Sequence, residues 1–526
     1  MLISVLVGVT MVTGIISSLG APLIPSVAQT LHISLDSAQW SLTVALLSAS
    51  VAAPIMGRLG DGPRRRETIL VGLAIVLAGS VIAGLANSLI VLIVGRAMQG
   101  VGLGLAPVTM AAARDHLPAE RAPGVIGLLS VSGAAAVGAG YPLSGLIASD
   151  QGVHAAFFFG ALMSGIALAA ALMVIPSNRQ SSAGRLDMTG GLVLAAGLIA
   201  LLLAIGQGQQ WGWDSVSIVT LFVAAAVILA AWVRLQLNRE APLVDLRQLR
   251  VRAVLTADLA AIVLGVAMYM FLTLVTEFVQ EPRTLSYGLG ASTLVAGLCL
   301  VPFSVTGLLA SRSAAPITKR LSASAVLVGG SLIIAAAGGF FALLHGTGWE
   351  AFVAMGVIGV GFGYTFAAIP GLIVRAVPSG ETGSAMGLYQ VIRYVGFSIG
   401  SALAASILAG NIVRGSTQVT EQGYVTALWV GTAICALSAS ASWLLSRTQA
   451  PISPQALAEP ERQRLAVEDA ELATAGLVGV EADLQTPRSH RRDKPAANAA
   501  NQRGGTHVTR PVAQSDADSD TRASRN

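Results

Sequence analysis

Fourteen predominantly apolar runs recur along the first 446 residues, at about 3–25, 38–57, 68–88, 89–112, 123–148, 154–175, 187–206, 215–235, 253–279, 289–311, 324–345, 350–374, 384–409 and 425–446. Each is near the ~20 residues that an α-helix needs to cross a hydrocarbon core. Of 526 residues, 54% are hydrophobic and only 11% charged, and the mean hydropathy is +0.71. A soluble domain carries about 25% charged residues. A soluble core cannot absorb this much apolar surface, so the surrounding medium is lipid and the expected fold is all-α and integral to the membrane.

The distribution of arginines orients the chain. The loops after even-numbered runs hold seventeen basic residues: Arg58, Arg64, Arg65, Arg66, Arg114, Arg121, Arg179, Arg185, Arg234, Arg239, Arg247, Arg250, Arg252, Arg312, Lys319, Arg320 and Arg375. Those after odd-numbered runs hold only Arg283 and Arg414. Basic residues stay on the cytoplasmic side, so both termini are expected there, in a multi-pass protein of the cell membrane. One missed run would scramble the alternation. The first run begins almost at Met1. Pro25-Ser26-Val27-Ala28 offers a signal-peptidase site as the competing reading, but no basic n-region precedes the run, so a retained span is expected.

Several classes of chemistry find no footing. Two cysteines lie in apolar runs, six histidines are scattered without ligand spacing, and no phosphate loop, nucleotide fingerprint or nucleophile elbow stands in a credible context. Neither an enzyme nor a cofactor nor a metal is expected. The net charge of +5 belongs to membrane loops, because the 80 residues from Arg447 hold 11 basic and 11 acidic side chains. Nucleic acid is not an expected partner. Those last residues, rich in proline, alanine and mixed charge, read as a disordered tail with a short surface helix at 458–474.

Four stretches stand out. Between runs 2 and 3 lies the turn Gly57-Arg58-Leu59-Gly60-Asp61-Gly62-Pro63-Arg64-Arg65-Arg66. Run 4 contains Arg96 with Gln99 one turn on; an arginine within a span marks a functional position or one bonded to backbone carbonyls. Run 5 carries Gly138, Gly140, Pro142 and Gly145, where small residues allow close helix approach and proline opens the ladder. Run 13 carries Arg393. The acids placed within spans are Asp258 and Glu277, both in run 9 and ~28 Å apart along a helix; each is a coupling candidate or an interfacial helix-end carboxylate. The loop after run 10, Ser311 to Arg320, echoes the turn after run 2 without its aspartate.

The turn resembles the signature loop of the major facilitator superfamily: Gly57, Leu59, Asp61, Arg65 and Arg66 fall on the pattern, and Arg64 replaces a later glycine. Leu92, Arg96, Gln99, Gly100 and Gly102 match its span-4 signature. Run 5 partly matches its antiporter motif. Arg393, Gly396 and Gly400 are similar to the span-13 pattern of the fourteen-helix drug:proton antiporters, a family that Trp40 and Pro302 also fit. The resemblance covers residues 1–446. It implies two six-helix bundles (1–180 and 251–446), an inserted helix pair with linker (181–250) and the tail (447–526). The implied function is proton-driven export of small amphipathic compounds by a monomer, with no cofactor beyond the proton gradient.

The resemblance also implies residue roles. Asp61 would latch onto the N-terminus of span 13 near Glu381-Thr382-Gly383, with Arg65 shared by Asp115 and the turn from Gly57 through Arg64 forming the gate. Arg96, Gln99, Asp258, Glu277 and Arg393 become coupling candidates. Tyr269, Phe271, Tyr364 and Phe366 become cavity candidates. No carboxylate lies near the bilayer midplane in spans 1, 4 or 12, so neutral, zwitterionic or weakly anionic solutes are expected over permanent cations. A uniporter or importer is the alternative within transport, and a membrane sensor or scaffold the alternative outside it.

Overall fold

The computed structural model describes residues 1–19, 23–62, 64–118, 121–176, 187–239, 242–285, 287–412 and 418–447. The expected tail and its surface helix, together with Arg179 and Arg185, lie outside the described residues. Within them the chain is helical: α1 Leu2–Ser18, α2 Ile24–Leu31, α3 Leu35–Gly60, α4 Arg65–Gly84, α5 Leu89–Leu103, α6 Leu105–His116, α7 Ala122–Gln151, α8 Val153–Val174, α9 Met188–Trp211, α10 Val216–Leu237, α11 Arg252–Phe278, α12 Thr293–Leu298, α13 Leu300–Leu321, α14 Ala323–Leu343, α15 Gly348–Ala376, α16 Thr382–Ala409 and α17 Glu421–Arg447. Thirteen candidate spans are long and apolar enough to cross a bilayer, with α5–α6 and α12–α13 each forming one of them; Leu2–Ser18 is a shorter apolar helix.

Helix starts follow from local chemistry. Ser34, Asp187 and Ser215 accept hydrogen bonds from Ser37 N–H, Gly190 N–H and Ile218 N–H at the openings of α3, α9 and α10. Thr347 and Glu350 form a reciprocal capping box at the start of α15.

Three expectations need correction. The run at 3–25 is not one helix: α1 stops at Ser18 and α2 starts afresh with a proline in its first turn, where a missing N–H costs nothing. The stretch Ser311 to Arg320 is not a loop but the last turns of α13, with Pro316 inside the helix and the Ser311 and Ser313 hydroxyls bonded back to Leu308 O and Ala310 O. Asp115 lies beyond run 4 in the last turn of α6, and Glu350, the first residue of run 12, lies in the first turn of α15, so Asp258 and Glu277 are not the only acids within helices.

The same packing scheme occurs twice. In the front half α1 packs on α7, α3 on α5, α4 on α5 and α4 on α8. In the back half α11 packs on α16, α13 on α15, α14 on α15 and α14 on α17. These are the same four ordinal pairings, as expected of a repeated unit. The halves meet through two matched seams, α3 against α16 and α7 against α13. Helices α9 and α10 pack on each other, and α9 rests on both α3 and α16. Helix α10 turns apolar side chains such as Val216, Val223 and Val227 outward, as a lipid-facing helix does.

Candidate functional site

The α3–α16 seam is drawn tight by glycines. A Cβ on Gly57 would run into Gly383 O, and one on Gly383 into Gly57 O. One turn on, a Cβ on Gly387 would lie 2.9 Å from Ala53 O. This approach carries Asp61, the residue that caps α3, onto the N-terminus of α16. Its carboxylate accepts from the Gly383 N–H, from the Ser384 N–H at 2.8 Å and from the Ser384 hydroxyl at 2.7 Å. A helix N-terminus offers unpaired N–H groups and a favourable dipole to such an anion.

Asp61 is buried, and burial pushes its carboxyl up to about 6; the Ser384 and Gly383 bonds and the Arg58 charge pull it down without cancelling that effect. Arg65 beside it is buried and donates to Gly60 O and to the Asp115 carboxylate. Arg114 crosses the seam, donating to Thr382 Oγ1 at 2.7 Å and Val377 O at 3.0 Å. Gln248, in the linker, donates to Glu381 beside the same helix start. Arg64, expected within the gate, is instead exposed and pairs only loosely with Glu67 at 3.7 Å. Its side chain leaves the seam because it precedes the buried face of α4, whereas Arg65 starts it.

The matched seam is built differently. A Cβ on Gly138 of α7 would lie 3.0 Å from Leu300 O of α13, and one on Gly297 of α12 would lie 3.3 Å from Pro142 Cα. Gly140 faces the other way, against Ile15 and Ser18 of α1. Gly145 has open space where a Cβ would stand, with no atom within 4 Å, and takes no part in close packing. Near the Asp61 end of the bundle, Ala315 faces Gly124 at the start of α7, where a Cβ on Gly124 would lie 3.2 Å from Ala315 Cβ. Ala315 holds in α13 the place that Asp61 holds after α3, so this helix N-terminus receives a methyl group where the other receives a carboxylate. A small space of about 50 Å³ remains beside it, lined by Pro123, Gly124, Ala314, Ala315 and Thr318.

Between the seams lies a central cavity. Thr10, Thr13, Ser17, Ser130, Met268, Tyr269, Gln390, Arg393, Tyr394 and Phe397 are among its lining residues. Its free space is about 50 Å³, against ~300–1,000 Å³ for pockets that hold drug-sized ligands. Tyr269 stacks on Phe397 with centroids 4.9 Å apart. Phe366, expected to line the cavity, is fully buried and does not line it, standing instead behind Arg393 with its ring 5.2 Å from the guanidinium carbon. Two other expected cavity residues face elsewhere. Phe271 is buried against Gly338 of α14 and Gly431 of α17, and Tyr364 turns toward α13, its hydroxyl 3.2 Å from Ser313 Oγ. On a span with no polar face to mark the cavity, helical phase alone could not say which aromatic points inward.

The remaining candidates separate by environment. Arg96 is fully buried within the front half; it donates to Ser41 O at 3.2 Å, Ile16 O at 3.3 Å and Gln99 Oε1 at 2.7 Å, and Gln99 donates on to Ser80 Oγ. These partners are mostly backbone carbonyls. Asp258 is buried with no protein partner for Oδ1. Glu277 is exposed near the far end of α11. Arg114, Ser130, Tyr389, Tyr394 and Phe397 emerge only from the structure. The i, i+4 spacing of Tyr389, Arg393 and Phe397 would have placed those three on one face; Ser130 carries no such signal.

A family model described as Major Facilitator Superfamily matches residues 6–401. Among curated relatives, the multidrug resistance protein Stp of Mycobacterium tuberculosis is 27% identical over 391 residues, covering 73% of this chain and 71% of that protein. The tetracenomycin C resistance and export protein of Streptomyces glaucescens is 28% identical over 421 residues, covering 78% and 76%. A crystal structure of the human organic anion transporter MFSD10 is similar in fold, with a TM-score of 0.61 at 13% identity, covering 84% of this chain and 98% of that one. With its repeated helix pairings, the thirteen long apolar helices among its described residues and this match across most of its length, the chain belongs to the major facilitator superfamily and is a multi-pass membrane transporter.

Proposed function

We propose that the chain exports small amphipathic compounds across the cell membrane in exchange for protons, working by alternating access as a monomer. The observation that carries this reading is the Asp61 contact with the α16 N-terminus beside a cavity too small for a drug-sized solute. A carboxylate that joins the two halves at one end, over a nearly closed cavity, is the expected form of one of two access states. Such contacts are lost when the halves part at that end, so they bias the equilibrium between states. The names of the relatives, multidrug resistance for one and tetracenomycin C resistance and export for the other, support outward movement of organic compounds.

The arginine distribution places the Asp61 end and both termini in the cytoplasm. The bundles are then 1–180 and 251–446, with 181–250 an inserted pair and 447–526 a dispensable tail. Asp258 is the proton carrier: arginines stay charged, and Asp258 is the buried span carboxylate with an unpartnered oxygen. No bound cofactor enters; the proton gradient supplies the energy. The test is efflux from an exporter-deficient host expressing the full chain. Efflux abolished by a protonophore is expected. Efflux indifferent to the gradient would show a uniporter instead.

A further inference from the structure

Helix α16 brings Arg393 into the cavity wall with 5% of its surface exposed. Its Nη1 reaches Ser130 Oγ and Tyr389 OH, each at 3.3 Å, and Nε meets no protein acceptor. The rings of Phe366, Tyr389, Tyr394 and Phe397 surround the guanidinium carbon at 5.2–6.0 Å. Among the described residues no acid lines the cavity, and none of the ion pairs includes Arg393.

A guanidinium keeps its charge at any working pH. Held in a low-dielectric wall without a counter-charge, it is costly, and aromatic faces offset only part of that cost. Arg96 shows the contrast. It is equally buried, and although carbonyls and Gln99 take up Nε and Nη1 while Nη2 meets no acceptor, it does not line the cavity. Arg393 instead stands in the cavity wall, with its Nε donor unused.

We propose that this cavity binds amphipathic aromatic acids as anions, with the carboxylate, sulfonate or enolate of the solute on Arg393 and its rings against Tyr269, Tyr394 and Phe397. The inference rests on the export reading above and names the class of compound which that reading leaves open. The anion supplies the charge that the wall lacks, and the planar guanidinium presents Nε and Nη as a fork suited to two oxygens. The aromatic rings supply stacking surface. A permanent cation would meet like charge at the same place. Because the present free space admits only a few water molecules, the solute enters when the seams part.

The test uses a matched pair of probes, 8-anilinonaphthalene-1-sulfonate and its uncharged parent N-phenyl-1-naphthylamine. Fluorescence titration of the full chain in nanodiscs, corrected with protein-free discs, gives both affinities. Arg393→Gln is expected to weaken the sulfonate about tenfold or more and Arg393→Lys by less, while the uncharged parent binds all three proteins alike. Sulfonate affinity unchanged in Arg393→Gln would overturn the proposal. So would equal loss of both probes, which marks a structural role, or the lack of saturable sulfonate binding to the native protein. A second arm follows probe movement from proteoliposomes under an imposed proton gradient. Sulfonate that binds through Arg393 but does not move would sink the export reading and leave the anion site standing. Gradient-driven movement of ethidium and the uncharged parent in preference to the sulfonate would do the reverse.

Discussion

Gly57 and Gly383 face each other across the seam between the two halves so closely that neither position has room for a Cβ. The contact is reciprocal and made against backbone, which cannot swing aside as a side chain can. Gly57→Val or Gly383→Val is therefore expected to force α3 from α16 and to lower transport at least tenfold, with membrane insertion intact. Gly145→Ala is the control, since it meets nothing within 4 Å. Native transport in the Gly383 variant would show that the close approach is not needed.

Asp61→Asn is expected to abolish transport while leaving insertion normal. The native carboxylate offers two acceptor oxygens to three donors; the amide offers one and sets an NH₂ against the other N–H. Full activity would leave Asp61 as plain loop charge.

The same carboxylate predicts a pH dependence. Burial raises Asp61 from 3.8 to about 6 in the closed seam, and an exposed carboxylate in the parted seam returns to ~4. The closed state thus binds the proton more tightly. Closure is favoured most below ~4, is progressively lost as pH rises through the window to about 6, and is flat above it. The charged neighbours Arg58, Arg65, Arg114 and Asp115 modulate the window. Cysteine cross-linking across α3 and α16 as a function of pH measures it, and the dependence should vanish in Asp61→Asn. Cross-linking that rises with pH through this window would refute the sign.

A second latch can be added. Ala315 meets Gly124 at the α7 N-terminus in the place equivalent to the Asp61 contact, and open space adjoins it. Ala315→Asp is expected to put a carboxylate at the positive end of the α7 dipole, hold that seam closed and slow turnover several-fold. Unchanged or faster turnover would mean that the α7–α13 seam does not limit opening at this end.

Coupling distinguishes the two carboxylates of α11. Asp258 is buried and incompletely bonded, whereas Glu277 is exposed. Asp258→Asn should retain downhill movement but lose accumulation against a gradient, and Glu277→Gln should stay within about twofold of native. Uphill transport in Asp258→Asn would place the proton elsewhere, with Asp61 the next candidate.

Much was legible in the sequence because the bilayer imposes simple rules. Length and apolarity mark the helices; fourteen apolar runs correspond to the thirteen long helices and α1. The motifs around Asp61 and Arg96 pointed to the family that the comparison then showed. What sequence could not read was decided by packing. Pro25 stands in the first turn of α2, where the first run has broken, while Pro316 leaves α13 continuous, and only tertiary context separates the two outcomes. Tyr269 and Phe271 lie two residues apart on one helix, about 200° around its axis, so one enters the cavity and the other the core. Arg96 and Arg393 look alike in sequence, each a lone cation in an apolar span. Each keeps one unfilled donor, but neighbouring helices set the first among carbonyls away from the cavity and the second among aromatics in the cavity wall. The sequence determined that charge would be buried; the contacts between helices decided which charge was left for a solute.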